Sequence, residues 1–320
     1  MEHKRPIPCR HMLKPKQLIV AVALSALTVS ACDLGKIAVG TTSKILNRGK
    51  IATKQESDFD LAARAIPGSL KTVETFHMVD PDNQILTNIL AEGFCQYASG
   101  FIEDEWELAI FARDFDEVEH QSKRASKAFT RCMGYGLHIL GKSWQKAMLG
   151  TLDEVKARVA KTGWGSRDAL LWAGVGLAGT INHNKDNPEM VVHLGKAIAI
   201  VDRVIALDDK HNLKDQNKRA TAHIVRAMMH MALPAALGGD PEAGKASFER
   251  ALEISQNKYL LARVLLARKY AVAKQDQKFF REQLVQVLQT DPGIWPENRL
   301  ANEIAHRRAK RYLKHEKELF

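Results

Sequence analysis

Residues 240–256 read DPEAGKASFERALEISQ and carry the pattern that decides the fold. Asp240 stands before a proline, which is typical of a helix start because an aspartate side chain caps exposed amides and proline fits the first helical position. Small or apolar residues then recur at intervals of four and three, at Gly244, Phe248 and Ala251. This spacing predicts an amphipathic helix with one buried face.

The same pattern recurs along the chain. A small residue, an aromatic residue four positions on and an alanine three further resemble the second helix of a tetratricopeptide repeat (TPR). Related stretches are Phe280, Leu284 and Val287 before Pro292, and Ala197, Val201 and Val204. A period near 34 residues describes helix pairs stacked in a solenoid. Because the observed intervals are 47 and 36 residues, the number of degenerate repeats stays open.

The rest of the chain also predicts helices. An apolar stripe at Leu86, Leu90, Phe94, Tyr97 and Phe101, and a second at Val118, Ala125, Phe129, Cys132, Gly136 and Leu140, predict a helical hairpin that turns near Asp114. Asp80-Pro81 and Asn187-Pro188 predict further helix starts. Strand patterns are missing, so we expect an all-α, TPR-like α-solenoid of antiparallel hairpins.

A C-terminal helix is expected to cap this solenoid. From Asn298 onward, apolar residues form a stripe at Leu300, Ile304, Ala305, Ala309, Tyr312 and Leu313. Arg307, Lys310, Arg311 and Lys314 fall largely outside that stripe. A helix with one apolar face and one charged face suits the end of a repeat array.

The N-terminal residues predict export and lipidation. Residues 1–17 carry five basic residues and one acid, and residues 18–31 are apolar and uncharged. Fourteen residues make about 21 Å of helix, too short for a hydrocarbon core of about 30 Å, so a signal peptide is favoured over a membrane span. Residues 29–32, Val-Ser-Ala-Cys, resemble a bacterial lipobox, which implies cleavage before Cys32 and acylation of that cysteine with chains such as palmitate. The alternative is an ordinary signal peptide that leaves Cys32 unmodified.

These features divide the chain into a removed lipoprotein signal peptide (1–31), a lipid-anchored tether (32–57) and a TPR-like helical domain (58–320). The chain has a net charge of +10, and removal of the leader leaves about +6. An exported lipoprotein meets no nucleic acid, so we expect anionic lipid or an acidic partner to match this charge. We expect the protein to face the periplasm. Asp33 resembles an inner-membrane retention signal, and the choice between inner and outer membrane stays open.

Two cysteines remain after removal of the leader and lipidation of Cys32. Cys95 and Cys132 lie on either side of the predicted hairpin turn. Helix axes about 8–10 Å apart rarely bring α-carbons within the roughly 4.4–6.8 Å that a disulfide needs. Two buried thiols are therefore favoured over a disulfide.

Aromatic residues in the first half of the mature chain are the candidate binding residues. Trp106, Trp144, Trp164, Trp172 and Tyr97 could line an apolar groove that holds a small ligand or a partner's helix. Packing inside the core and between hairpins is nevertheless the favoured interpretation of the tryptophans.

Motifs of catalysis and cofactor binding give little support for an enzyme. Residues 174–179, GVGLAG, match GxGxxG, but a dinucleotide site needs a preceding strand, and the preceding residues predict a helix. Close helix packing is favoured, with an apolar cavity lined by residues 169–181 as the second interpretation. His223 and His230 are about 10.5 Å apart along one helix, too far for one zinc ion. We expect no cofactor, no metal site and no enzymatic activity.

Four stretches carry a resemblance to a known family. They are residues 62–105 (AARAIPGSLKTVETFHMVDPDNQILTNILAEGFCQYASGFIEDE), 170–179 (LLWAGVGLAG), 233–252 (LPAALGGDPEAGKASFERAL) and 296–313 (PENRLANEIAHRRAKRYL). In this order they resemble the TatT family, the T-component lipoproteins associated with TRAP transporters. The segments Leu237–Pro241 and Arg299–Asn302 are the most specific.

The resemblance implies a periplasmic TPR-like lipoprotein that works beside the substrate-binding P component of a TRAP transporter. It implies a binding or scaffold role in solute import, and it leaves open an apolar ligand in the concavity. A homo-oligomer and the transported solute stay open. The alternatives are a general TPR lipoprotein of cell-envelope assembly and a cryptic hydrolase in the tryptophan-rich half.

Overall fold

The computed structural model describes residues 34–320. It is 84% helical and the described part contains no strand, which confirms the all-α prediction. Cys32 and the predicted signal peptide lie outside the described residues. None of the helices in residues 34–320 combines the length and apolarity needed to cross a bilayer.

The helices are α1 (Leu34–Lys54), α2 (Phe59–Val79), α3 (Gln84–Tyr97), α4 (Glu103–Ala112), α5 (Phe115–Leu140), α6 (Lys142–Leu149), α7 (Leu152–Ala160), α8 (Arg167–Asn182), α9 (Pro188–Val191), α10 (Leu194–Lys210), α11 (Gln216–His230), α12 (Pro241–Ile254), α13 (Leu260–Leu266), α14 (Val272–Lys274), α15 (Gln277–Gln289), α16 (Arg299–Lys314) and α17 (Glu316–Leu319).

Capping side chains set several helix starts. Asp240 accepts a hydrogen bond from the amide of Ala243 at 3.0 Å and begins α12, as predicted. Asn187 likewise caps the short helix α9. The start predicted at Asp80 is wrong by one turn. The Asp80 carbonyl accepts from the Asn83 amide in a turn, and the Asn83 side chain is the cap of α3.

The helices follow one another around a central cavity. The most extensive contacts between helices are those of α5 with α8, α11 with α12, and α3 with α5. The last long helix, α16, then returns to contact α1 and α2. The solenoid itself stays a prediction, but the two ends of the described chain meet.

Glycines allow α5 and α8 to approach closely. A Cβ atom at Gly176 would lie 2.5 Å from the amide nitrogen of Met133, and one at Gly136 would lie 2.9 Å from that of Ala173. The GxGxxG run lies inside the continuous helix α8 rather than at a strand-to-helix turn. Close packing, the favoured interpretation of this run, is therefore confirmed.

Cys95 and Cys132 form a disulfide between α3 and α5, which overturns the expectation of two thiols. Their α-carbons are 5.4 Å apart. The expectation failed because it treated axis separation as α-carbon separation. Each α-carbon lies about 2.3 Å from its helix axis, so facing residues on helices about 10 Å apart come within disulfide range.

Helix α16 buries more charge than its stripe predicts. The apolar stripe is buried as expected, with Ala305, Ala309 and Tyr312 at 0% exposure. Arg311, which was expected on the outer face, is also buried, and its guanidinium contacts the buried carboxylate of Asp104 on α4. The outer face of α16 is buried here because α4 covers it, a contact between residues 207 positions apart.

Candidate functional site

In residues 34–320 the helices surround a large cavity of about 580 Å³. This volume lies within the range of about 300–1,000 Å³ that is usual for small-molecule sites. Ile45 lines the cavity and is 66% exposed, so the cavity reaches the surface beside α1. Most of the wall is aliphatic or aromatic. Its apolar residues include Ile66, Leu70, Val73, Phe101, Phe129, Val175, Ile224, Val225, Met228, Leu261, Leu265 and Ile304.

Of the five aromatic residues predicted to line a groove, Trp172 and Tyr97 lie in the cavity wall. Trp172 comes from α8, within the uncharged run that carries the glycines, and Tyr97 comes from the end of α3. Ala178 and Gly179 of α8 also line the cavity. Helix α8 therefore packs against α5 through some of its small residues and opens onto the cavity through others.

The other three tryptophans lie away from the wall. Trp144 is 1% exposed in the core, and its indole nitrogen donates to the hydroxyl of Thr162 at 3.1 Å. Trp164 is partly exposed and stacks on His211. Trp106 packs edge-on against His183, one layer behind the cavity.

Much of the wall comes from residues that the sequence did not predict to line a cavity. Helices α11, α13 and α16 supply Met228, Leu265 and Ile304. Each belongs to an apolar stripe of ordinary helical period, and such a stripe does not distinguish a residue that packs from one that faces a cavity. The proximity of α16 to α1 arises from contacts across the whole chain.

One polar edge of the cavity joins α1 to α3. The amines of Lys50 and Lys54 each lie 2.7 Å from a carboxylate oxygen of Glu92. Burial would raise the pKa of Glu92, but Lys54 and Lys50 outweigh it and hold this pKa at about 2. The ionised carboxylate therefore holds α1 to α3 through two ion pairs at the edge of the cavity.

We expect acid to loosen α1. The pKa of Glu92 is lower in the folded state than its ordinary value of 4.5, so its stabilising contribution is present above pH 4.5 and is lost as the pH falls towards 2. Hydrogen exchange of the amides in residues 34–54, corrected for intrinsic rates, should be at least tenfold faster at pH 3 than at pH 6. Glu92→Gln should give the fast exchange already at pH 6, because hydrogen bonds to charged groups contribute about 1.5–3 kcal/mol each.

The matched control is Glu249→Gln, which removes an exposed ion pair with Lys245 on α12. It should leave α1 unchanged. Equal protection of α1 in Glu92→Gln and the wild type would show that apolar contacts alone hold this helix.

A second polar edge lies where α3 passes into α4 through a π-helical turn, Ala98–Ile102. Glu103 follows this turn and accepts hydrogen bonds from Nε2 of His183 at 3.0 Å and from the side chain of Asn182 at 3.4 Å. Burial raises the pKa of Glu103, but the hydrogen bond and charge of His183 outweigh it and lower this pKa below its usual value. Arg308 donates to the Ser99 carbonyl at 2.5 Å. Both Glu103 and Arg308 line the cavity.

Further cations surround this second edge. Lys269 lies on another π-helical turn, Ala267–Ala271. Burial lowers the pKa of Lys269 to about 8, and the nearby charges of Arg268 and Lys185 add to the decrease. π-Helical turns are frequent at functional sites, and the turn Ala98–Ile102 lines the cavity through Ser99, Gly100 and Phe101.

Ser122, His183 and Glu103 form a hydrogen-bonded chain that the sequence did not predict. The Ser122 hydroxyl lies 3.2 Å from Nδ1 of His183, whose Nε2 donates to Glu103. The order resembles a hydrolase triad, but the imidazole is fully buried and lies just beyond the C-terminus of α8. A helix C-terminus presents carbonyls rather than the amides that stabilise an oxyanion. The chain is better suited to fixing Glu103 at the cavity edge.

The cavity combines a largely apolar wall with two charged edges. Its walls can hold an apolar molecule, and two charged edges can orient it. Within residues 34–320 no group of three or more His, Cys, Asp or Glu side chains is arranged to hold a metal ion.

Comparison with known proteins finds a relative that matches most of the chain. A protein of Treponema pallidum (strain Nichols), named only as uncharacterized, is 22% identical over 275 residues. The match covers 83% of this chain and 81% of the relative.

A protein-family model gives the assignment. The model of the TRAP transporter T-component matches residues 55–320. This range takes in α2 to α17, and with them most of the cavity wall. It also contains the four stretches on which the family resemblance was based, so that prediction is confirmed. The chain belongs to the TRAP transporter T-component family.

Proposed function

We propose that this protein is a lipid-anchored, periplasm-facing binding and scaffold component of a TRAP-type solute import system. In this proposal it engages the substrate-binding P component and holds an apolar small molecule in the central cavity. The observation that carries the ligand is the cavity of about 580 Å³ with its largely apolar wall. Family membership supports the link to TRAP transport.

Two further observations support the location. Disulfides persist in oxidising compartments such as the periplasm and are rare in the cytosol, and Cys95 and Cys132 are joined. The lipobox-like residues before Cys32 supply the anchor. Residues 1–31 would be removed, and residues 32–57, mostly α1, would link the anchor to the helical domain of residues 58–320.

Native mass spectrometry of the lipoprotein purified from its own host tests this function. We expect a complex with the P component and an additional small mass that dissociates as an apolar molecule. Ala178→Trp should remove the small mass, because Ala178 lines the cavity and an indole would fill part of it. The ratio of occupied to empty protein should fall at least tenfold, which corresponds to about 1.4 kcal/mol.

The matched control is Ala65→Trp, the same change at an exposed position of α2. It should keep both the ligand and the partner. An empty wild-type cavity would contradict the ligand, whereas recovery of envelope-assembly proteins alone would contradict the transport role.

A further inference from the structure

Helix α1 has two chemically different faces. On the inner face, Val39 and Ser43 are buried, and Lys50 and Lys54 reach Glu92. At about 100° per residue, these four positions fall on one side of the helix. This side is occupied by the rest of the protein.

The opposite face is apolar and largely uncovered, with Ile45 at its border with the mouth of the cavity. Leu34, Ile37, Ile45 and Ile51 are 79%, 57%, 66% and 43% exposed. At the same angular spacing they lie within about one third of the helix circumference. Four large aliphatic side chains exposed on one face of a helix indicate a surface that something covers.

The same face is positively charged. Lys44 and Arg48 lie between the isoleucines and are exposed. Neither forms an ion pair or hydrogen bond with a side chain in the part of the chain that the structure describes. The helix as a whole contains five basic residues and no acidic one. What covers this face must therefore tolerate apolar groups and carry negative charge.

We propose that the outer face of α1, formed by Leu34, Ile37, Lys44, Ile45, Arg48 and Ile51, lies on the surface of an anionic phospholipid bilayer. The aliphatic side chains enter the boundary between head groups and acyl chains. Lys44 and Arg48 meet the phosphates. An interfacial helix combines these two features, whereas the binding surface of a protein partner would need an acidic and apolar groove of matching length.

The position of α1 in the chain favours the bilayer. This step rests on the proposed function, because it takes Cys32 to be lipidated. One residue separates Cys32 from Leu34, so their α-carbons are at most about 7 Å apart. The acyl chains supply the affinity, and the outer face of α1 determines the orientation of the protein on the membrane.

Fluorescence quenching of the lipidated mature protein, residues 32–320, in nanodiscs tests this orientation. Thr41 lies on the outer face, and Thr41→Cys labelled with bimane reports its depth. The other cysteines do not react, since Cys95 and Cys132 form a disulfide and Cys32 carries the lipid. Leu149→Cys, at a 91% exposed position of α6, is the matched control.

In phosphatidylglycerol nanodiscs, spin-labelled lipid should quench position 41 at least threefold more than position 149. Lys44→Glu/Arg48→Glu should lower the ratio of membrane-bound to unbound α1 about fivefold for each basic residue removed. Quenching at position 41 should fall accordingly. Lys44→Arg/Arg48→Lys should retain it. Phosphatidylcholine nanodiscs should give the same loss as the charge reversal.

Three results would overturn the proposal. One is equal quenching at positions 41 and 149, and another is quenching at position 41 that ignores lipid charge and the charge reversal. The third is a combination of two results: spin-labelled lipid does not quench position 41, yet native membranes protect this position from a water-soluble maleimide. Together they would show that a protein covers the face. A protein that fails to enter nanodiscs at all would instead contradict lipidation at Cys32.

Discussion

Asp104→Asn is expected to lower the free energy of unfolding by about 3–5 kcal/mol. The carboxylate is fully buried and lies between two guanidinium groups of α16. Nε of Arg307 donates to one oxygen at 2.7 Å, and Arg311 donates to the other. The amide has nearly the same size, so the loss measures the removed negative charge and its two charged hydrogen bonds, while Glu107 still pairs with Arg311 at 2.7 Å. Urea denaturation followed by circular dichroism gives the difference.

Glu105→Gln is the matched control, because Glu105 is the next residue on α4 and is exposed. It should change the free energy of unfolding by no more than about 0.5 kcal/mol. If both variants unfold at the same urea concentration, the buried ion pair does not hold α4 to α16.

Cys95→Ala/Cys132→Ala is expected to cost about 4 kcal/mol of stability. The disulfide closes a loop of 37 residues, and such a loop restricts the unfolded chain by about this amount. Both cysteines are buried at 0–1% exposure, so replacing them with alanine also leaves unfilled volume. Guanidinium denaturation without reductant measures the loss.

Reductant supplies the control for this pair. Unfolding the wild type in the presence of a phosphine should reproduce most of the loss, whereas the double variant should not respond. A wild type that is equally stable with and without reductant would show that the two sulfurs are not joined in the protein.

The helices were predictable because their signals are local. Apolar periodicity identified the buried faces at Leu86, Leu90 and Phe94, and caps such as Asp240 marked the starts. These signals depend on neighbours within a few residues, and they are the same in most helical proteins. The all-α fold and the helical position of the GxGxxG run followed from them.

The cavity was predictable only in part because its wall is assembled over long range. Trp172 stood out through its uncharged surroundings, and it lies in the wall. Arg308 did not stand out, because an arginine in a helix normally faces water. Its burial depends on Ser99, which is 209 residues away. No local pattern records which distant helix will cover a charged face.

The return of α16 to the N-terminal helices changes how the protein can unfold. In an open repeat array each unit contacts only its neighbours, so the terminal units fray first. Here Arg307 and Arg311, near the C-terminus, hold Asp104, and α16 also contacts α1. Neither end of the described chain is a free terminus from which fraying can start. Loss of the last helix would therefore expose the first ones as well, and we expect α16 and the N-terminal helices to unfold together on heating.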